Sequence, residues 1–237
     1  MRRVGFGIVV LATVFASASA CQRRPDVPTP MVTAKGSAGE EDVPDLTIRQ
    51  VNLKAGETLL VSCSDEGGDA EVFWGDARLH TDVASHGPGL STTIFTLYSA
   101  TGGTADIVAA HVSSGDLTIN AYVVTNLAPS ALDKMAAAQG AGTSPSSGAT
   151  GTTSHANEFL WGPIGYFANK GPTGTWIDGF TPGGQFKDTG GISGVEDGYK
   201  TVSSTGAYTA AKAGIDKDTW TAVIATYAIS AGRDAIR

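Results

Sequence analysis

Covalent catalysis by a side-chain nucleophile needs a Ser, Cys or Thr with a base in reach, and the bases this chain offers are His80, His86, His111 and His155. None of them falls in a signature: there is no G-x-S-x-G elbow, no H-E-x-x-H pair and no phosphate-cradling G-x-x-x-x-G-K-[ST] loop. Hard carboxylate oxygens suit calcium. Asp65, Glu66 and Asp69, with Glu71 behind them, gather around Gly67 and Gly68 and are the candidate ligands, although their spacing is not that of an EF-hand. No other cofactor is expected. Asp178 with Asp188, or Glu196 with Asp197, are further candidates for the same metal chemistry, and paired carboxylates for glycoside hydrolysis would have to face each other across a cleft. Recognition is a third chemistry. Trp161, Tyr166, Phe167, Trp176 and Phe180 concentrate in a Gly-rich stretch, and exposed aromatic faces stack on sugar rings or on a protein partner. Trp176 and Phe180, flanked by Gly174, Gly179 and Gly183, are expected at the surface, with Trp161 and Tyr166 as further ligand-binding candidates. Trp74 and Trp220 lie in regular alternation and read as core.

The elements that must position these residues are strands. Leu59, Val61 and Cys63 alternate with Ser62 and Ser64, and Leu117, Ile119, Ala121 and Val123 alternate with Thr118, Asn120 and Tyr122. A period of two puts each apolar set on one face of a strand. Turn signals such as Lys54-Ala55-Gly56-Glu57, Gly87-Pro88-Gly89 and Thr101-Gly102-Gly103 recur about every dozen residues. Short strands at that spacing predict an all-β fold, an antiparallel, jelly-roll-like β-sandwich, rather than βαβ units. From Ser130 to Gln139 a short Ala-rich helix is expected, or equally a loop crossing one end of the sandwich. The low-complexity stretch from Gly140 to Ser154 suits an extended edge strand better than a domain boundary, so residues 45–229 are read as a single domain.

Ahead of that domain, residues 1–20 have the three parts of a secretory signal: Arg2 and Arg3, an apolar stretch from Val4 to Phe15, and small residues ending Ala18-Ser19-Ala20. Cys21 follows directly, so the segment resembles a bacterial lipoprotein signal, and that resemblance implies lipidation at Cys21. Ala18 departs from the Leu usual three residues before such a cysteine. The competing reading is a Cys21–Cys63 disulfide in an oxidising compartment; the two exclude each other. Residues 21–44, rich in Pro, Gly and acid, read as a flexible tether, and residues 230–237 as a polar tail. Formal charge is −7, and loss of Arg2 and Arg3 with the leader takes it to −9. An acidic chain without a basic, aromatic-interleaved stripe is not drawn to nucleic acid.

Phe73-Trp74-Gly75-Asp76, Gly142-Thr143-Ser144-Pro145-Ser146-Ser147-Gly148, Asn157-Glu158-Phe159, Asp197-Gly198-Tyr199 and Thr205-Gly206-Ala207-Tyr208-Thr209-Ala210 carry a further likeness. With these, most of residues 46–229 resembles a β-sandwich module that recurs in secreted bacterial proteins and in some phage structural proteins. The likeness implies a fold and an exported setting, and no active-site residues. The function expected is therefore a non-catalytic envelope or surface protein with a structural, adhesion or assembly role. It would be held at a membrane by a lipid anchor, or secreted, and would meet a glycan or protein partner at the cell surface. The alternative is a lectin-like carbohydrate-binding module using the loop aromatics; a hydrolase with paired acids ranks behind both.

Overall fold

Where apolar and polar residues alternate, the chain forms strands, and their partners determine what each face touches. The computed structural model describes residues 27–68, 70–167, 173–187 and 193–231. Among these described residues fourteen strands follow in order: β1 Val32–Leu53, β2 Thr58–Asp65, β3 Glu71–Trp74, β4 Ala77–Arg78, β5 His80–Gly87, β6 Leu90–Leu97, β7 Gly103–Val124, β8 Leu127–Gly142, β9 Asn157–Phe167, β10 Thr175–Trp176, β11 Thr181–Lys187, β12 Ser193–Ser203, β13 Lys212–Ala213 and β14 Asp218–Ile229. Every pairing is antiparallel. A seven-stranded sheet runs β4-β3-β7-β2-β6-β5 with β1 also on β7, and a five-stranded sheet runs β11-β12-β9-β14-β8. The two stack as a sandwich in one domain, as the alternation predicts. At one seam the edges meet, where the Ser85 hydroxyl of β5 donates to the Ala138 carbonyl of β8 at 2.7 Å.

The packing forms three apolar layers. Leu59, Val61, Cys63, Phe95, Leu117 and Ile119 cluster with Ile48, Leu53, Val72, Trp74 and Ile107, so the seven-stranded sheet curls over one of its own faces. Its other face sends Leu60, Ile94, Tyr122 and Val124 against Phe159, Trp161, Val223 and Tyr227 of the second sheet. On the far side of that second sheet Leu160, Ile164, Ala222 and Ile224 lie under Trp176, Phe180 and Ala210. Burial on both faces explains why all eight residues of β2 are inside, its serines included.

Two expectations are corrected here. Residues 21–44 are not tether throughout. From Val32 onward the chain is β1, in register with β7 from Val32↔Val124 to Leu53↔Gly103. An edge strand tolerates charge and proline when bulges absorb them, and register shifts separate Glu40, Val43 and Asp45 around Pro44. The helix expected from Ser130 to Gln139 is also absent: these residues belong to β8 and pair with β14, Ala136 opposite Ile224 and Ala138 opposite Ala222. A long partner strand that supplies every second backbone bond overrides the helical preference of alanine. Beyond Gly142 the chain stays extended without joining a sheet. Amides of Ser147, Thr150 and Thr153 donate to the carbonyls of Ala210, Tyr208 and Gly206, each at 2.9 Å. This segment roofs the outer face of the five-stranded sheet.

Candidate functional site

The residues singled out for recognition lie inside. Trp161 is 0%, Tyr166 4%, Trp176 7% and Phe180 7% exposed, which corrects the expectation that Trp176 and Phe180 are at the surface. A glycine on another strand makes room for that burial. Gly198 leaves the slot that Trp176 fills, since a Cβ there would sit 2.8 Å from the indole. Trp176 and Phe180 stack at 5.8 Å, and the Trp176 indole donates to Glu196 Oε1 at 3.0 Å. Trp161 donates to Ser62 Oγ at 2.8 Å and meets Tyr122 edge-on at 4.7 Å. Among the acids, Asp65 is buried and its carboxylate accepts the Gly68 amide. Glu66 is exposed, and Asp69 lies outside the described residues. Asp178 sits in an exposed turn, and Asp188 and Cys21 also lie outside the described residues. Cys63 is buried in the first core layer, where burial, then the nearby Asp65 charge, pushes its thiol up. Glu196 and Asp197 point to opposite faces of β12: Glu196 accepts Lys212 Nζ at 2.6 Å, a buried ion pair under Trp176.

The most organised polar centre lies elsewhere, on β5. A register shift between Thr81 and Val83 turns Asp82 inward. Its buried carboxylate accepts from Thr96 Oγ1 at 2.5 Å, Tyr227 OH at 2.7 Å and Tyr98 OH at 2.8 Å, and His80 Nδ1 donates to it at 2.9 Å. Burial first, then the Asp82 charge, pushes the Tyr98 and Tyr227 phenols well up, so both serve as neutral donors. Fixing Nδ1–H on a carboxylate leaves Nε2 as the basic nitrogen of the exposed His80 ring. That ring borders a surface cavity of about 410 Å³ lined by Arg78, Leu79, His80 and Thr81. Such an edge can accept a hydrogen bond from a single donor of a partner. No group of three or more His, Cys, Asp or Glu suited to a metal occurs among the described residues.

A second centre joins the sheets. Asp197 is fully buried and its Oδ2 accepts Asn120 Nδ2 at 2.7 Å and Tyr122 OH at 3.0 Å, while Asp197 Oδ1 and Asn120 Oδ1 have no hydrogen-bond partner. Desolvation pushes the carboxyl up to about 7 against the pull of Ser62, Asn120 and Tyr122. Nearby, Thr92 and Thr221 hydroxyls meet across the sheets at 2.6 Å. Gly165 permits that approach, because a Cβ there would fall 2.1 Å from Thr92 Oγ1.

Sequence reasoning passed over Asp82, and the one available signal was weak: His80 and Asp82 stand two apart at a strand start, while Thr96, Tyr98 and Tyr227 come from distant strands. No family model matches the chain, and neither the curated proteins nor the solved structures contain a match to it.

Proposed function

We propose that this chain is a non-catalytic, exported envelope or surface protein whose domain serves a structural, adhesion or assembly role. The observation that carries this reading is where the chemistry-bearing side chains go. Asp82, Asp197 and Glu196 each hold donors from distant strands, tying layers together rather than converging on an open cleft. Buried hydrogen-bonded networks of this kind rigidify a fold and specify a single packing. The lectin-like alternative loses its support, because the rings meant to stack on sugars are covered.

The setting rests on the leader-like residues 1–20 and on Cys21. Intact mass of the protein from its native membrane fraction, together with protease shaving of whole cells, tests both parts. Loss of residues 1–20 with added acyl mass, and a folded domain cut from the outside, are the expected results. A full-length chain in the soluble cell interior overturns the reading. Glycan arrays supply the second arm: retention abolished by Trp176→Ala in a folded variant would restore the lectin-like reading.

A further inference from the structure

The roofing segment ends at a group of charged residues that the proposed function does not use. Asp133 and Lys134 come from β8, Ser154 from the end of the segment, Glu158 from the start of β9 and Thr226 from β14. Lys134 Nζ donates to Asp133 Oδ1 at 2.6 Å and to Ser154 Oγ at 2.9 Å, and the Ser154 amide donates to Asp133 Oδ2. The Lys134 amide in turn donates to Thr226 Oγ1 at 3.1 Å. Asp133 thus has a donor on each oxygen and a cation beside it. Glu158 is 0% exposed and lies among the Thr226 hydroxyl, the His155 backbone amide and the Asp133 carboxyl.

A buried carboxylate whose donors do not offset its desolvation is disfavoured, and the group neutralises instead. One ammonium balances one carboxylate. With Asp133 ionised against Lys134, a second charge on Glu158 would be buried, uncompensated and beside a like charge. We propose that the Asp133–Glu158 pair is a proton-operated clasp: while Glu158 holds its proton the segment 143–154 stays seated on the five-stranded sheet, and loss of that proton unseats it. Burial, reinforced by the Asp133 carboxylate, holds the Glu158 carboxyl up at about 7. Lys134 and the Ser154 contacts keep Asp133 well below the usual range although its partial burial opposes them. The charged or titratable neighbours facing the pair among the described residues are Lys134 and His155, whose backbone lies against Glu158 and whose ring is exposed. The segment is a suitable moving part. It is held to 206–215 through Ser147, Thr150 and Thr153, whose amides donate to the carbonyls of Ala210, Tyr208 and Gly206 and whose hydroxyls accept the amides of those same residues, and by the Ser154 anchor at its end.

Amide hydrogen exchange on the full mature chain tests this, with rates corrected for intrinsic base catalysis. Protection of the Ser147, Thr150 and Thr153 amides is expected to fall about ten-fold or more between about pH 6 and about pH 8. Amides of β9 and β14 in the same sample report any global loosening and should fall less. In Glu158→Gln the fall disappears, because a neutral amide cannot lose the proton. In Asp133→Asn, where the like charge is gone, the midpoint moves to lower pH. His155→Gln leaves the wild-type curve in place. Unchanged protection across the range in the wild type, or the same fall in Glu158→Gln, overturns the clasp. A midpoint governed by added calcium or chelator instead of pH also overturns it, since the pair would then be a cation site.

Discussion

Replacing Asp197 by Asn should make the domain more stable at alkaline pH, although it removes a charged hydrogen-bond acceptor. An unfolded Asp titrates near 3.8, and burial holds Asp197 up to about 7 in the fold. Between those values the folded state keeps a proton that the unfolded state has released, so stability falls as pH rises through that window. The contribution is fully present below the unfolded value and lost above the folded one. At about 1.4 kcal/mol per unit, that shift is worth a few kcal/mol at most. An amide carries no charge to desolvate. Its oxygen can still accept from Asn120 Nδ2 and Tyr122 OH. Urea denaturation at a series of pH values from about 4 to about 8.5 is the assay. Asp197→Asn should match the wild type at the acid end and exceed it by about 1–4 kcal/mol at the alkaline end. Glu158, raised in the same direction, leaves a residual slope that the double variant with Glu158→Gln should flatten. An Asp197→Asn variant that is less stable than wild type at alkaline pH, with the wild-type slope intact, would refute the reasoning.

Other predictions follow from single contacts. Lys212→Met leaves Glu196 buried without its cation and should cost about 3–5 kcal/mol by thermal or urea denaturation; the pair variant with Glu196→Gln should recover part of that loss. Tyr227→Phe removes one of the four donors to Asp82 and should cost about 1–3 kcal/mol, a loss readable in the same assay. Gly165→Ala forces a Cβ against Thr92 Oγ1 and should destabilise by at least about 1–3 kcal/mol, whereas Gly165→Ala combined with Thr92→Ala should be milder.

Much of the fold can be read along the chain because the period-two pattern is local. The alternation in Leu117 to Val123 and the glycine turns place β7 and its neighbours, and they exclude helical layers. Gly89, with φ of +72°, turns β5 into β6 at a site the Gly-Pro-Gly signal marks. Alternation also carries a tacit assumption that the polar phase faces water. Here Ser62, Ser64, Thr118 and Asn120 face a second sheet instead, since nothing local distinguishes a solvated face from one that another sheet will cover. Tether-like Gly39-Glu40-Glu41-Asp42 and helix-like Ala136-Ala137-Ala138 misled for the same reason: β7 and β14 provide the backbone partners, and local propensity is the weaker term.

The sequence by itself determined the class of fold, the antiparallel strands, the turns between them and the acidic character of the chain. Tertiary structure decided which polar side chains became structural. Asp82, Asp197 and Glu158 acquire their partners and their protonation from strands far away in sequence. Desolvation is a property of the assembled interior, and no spacing along the chain encodes it. The same holds for Trp176, whose flanking glycines suggested exposure until Gly198 of another strand made room to bury it.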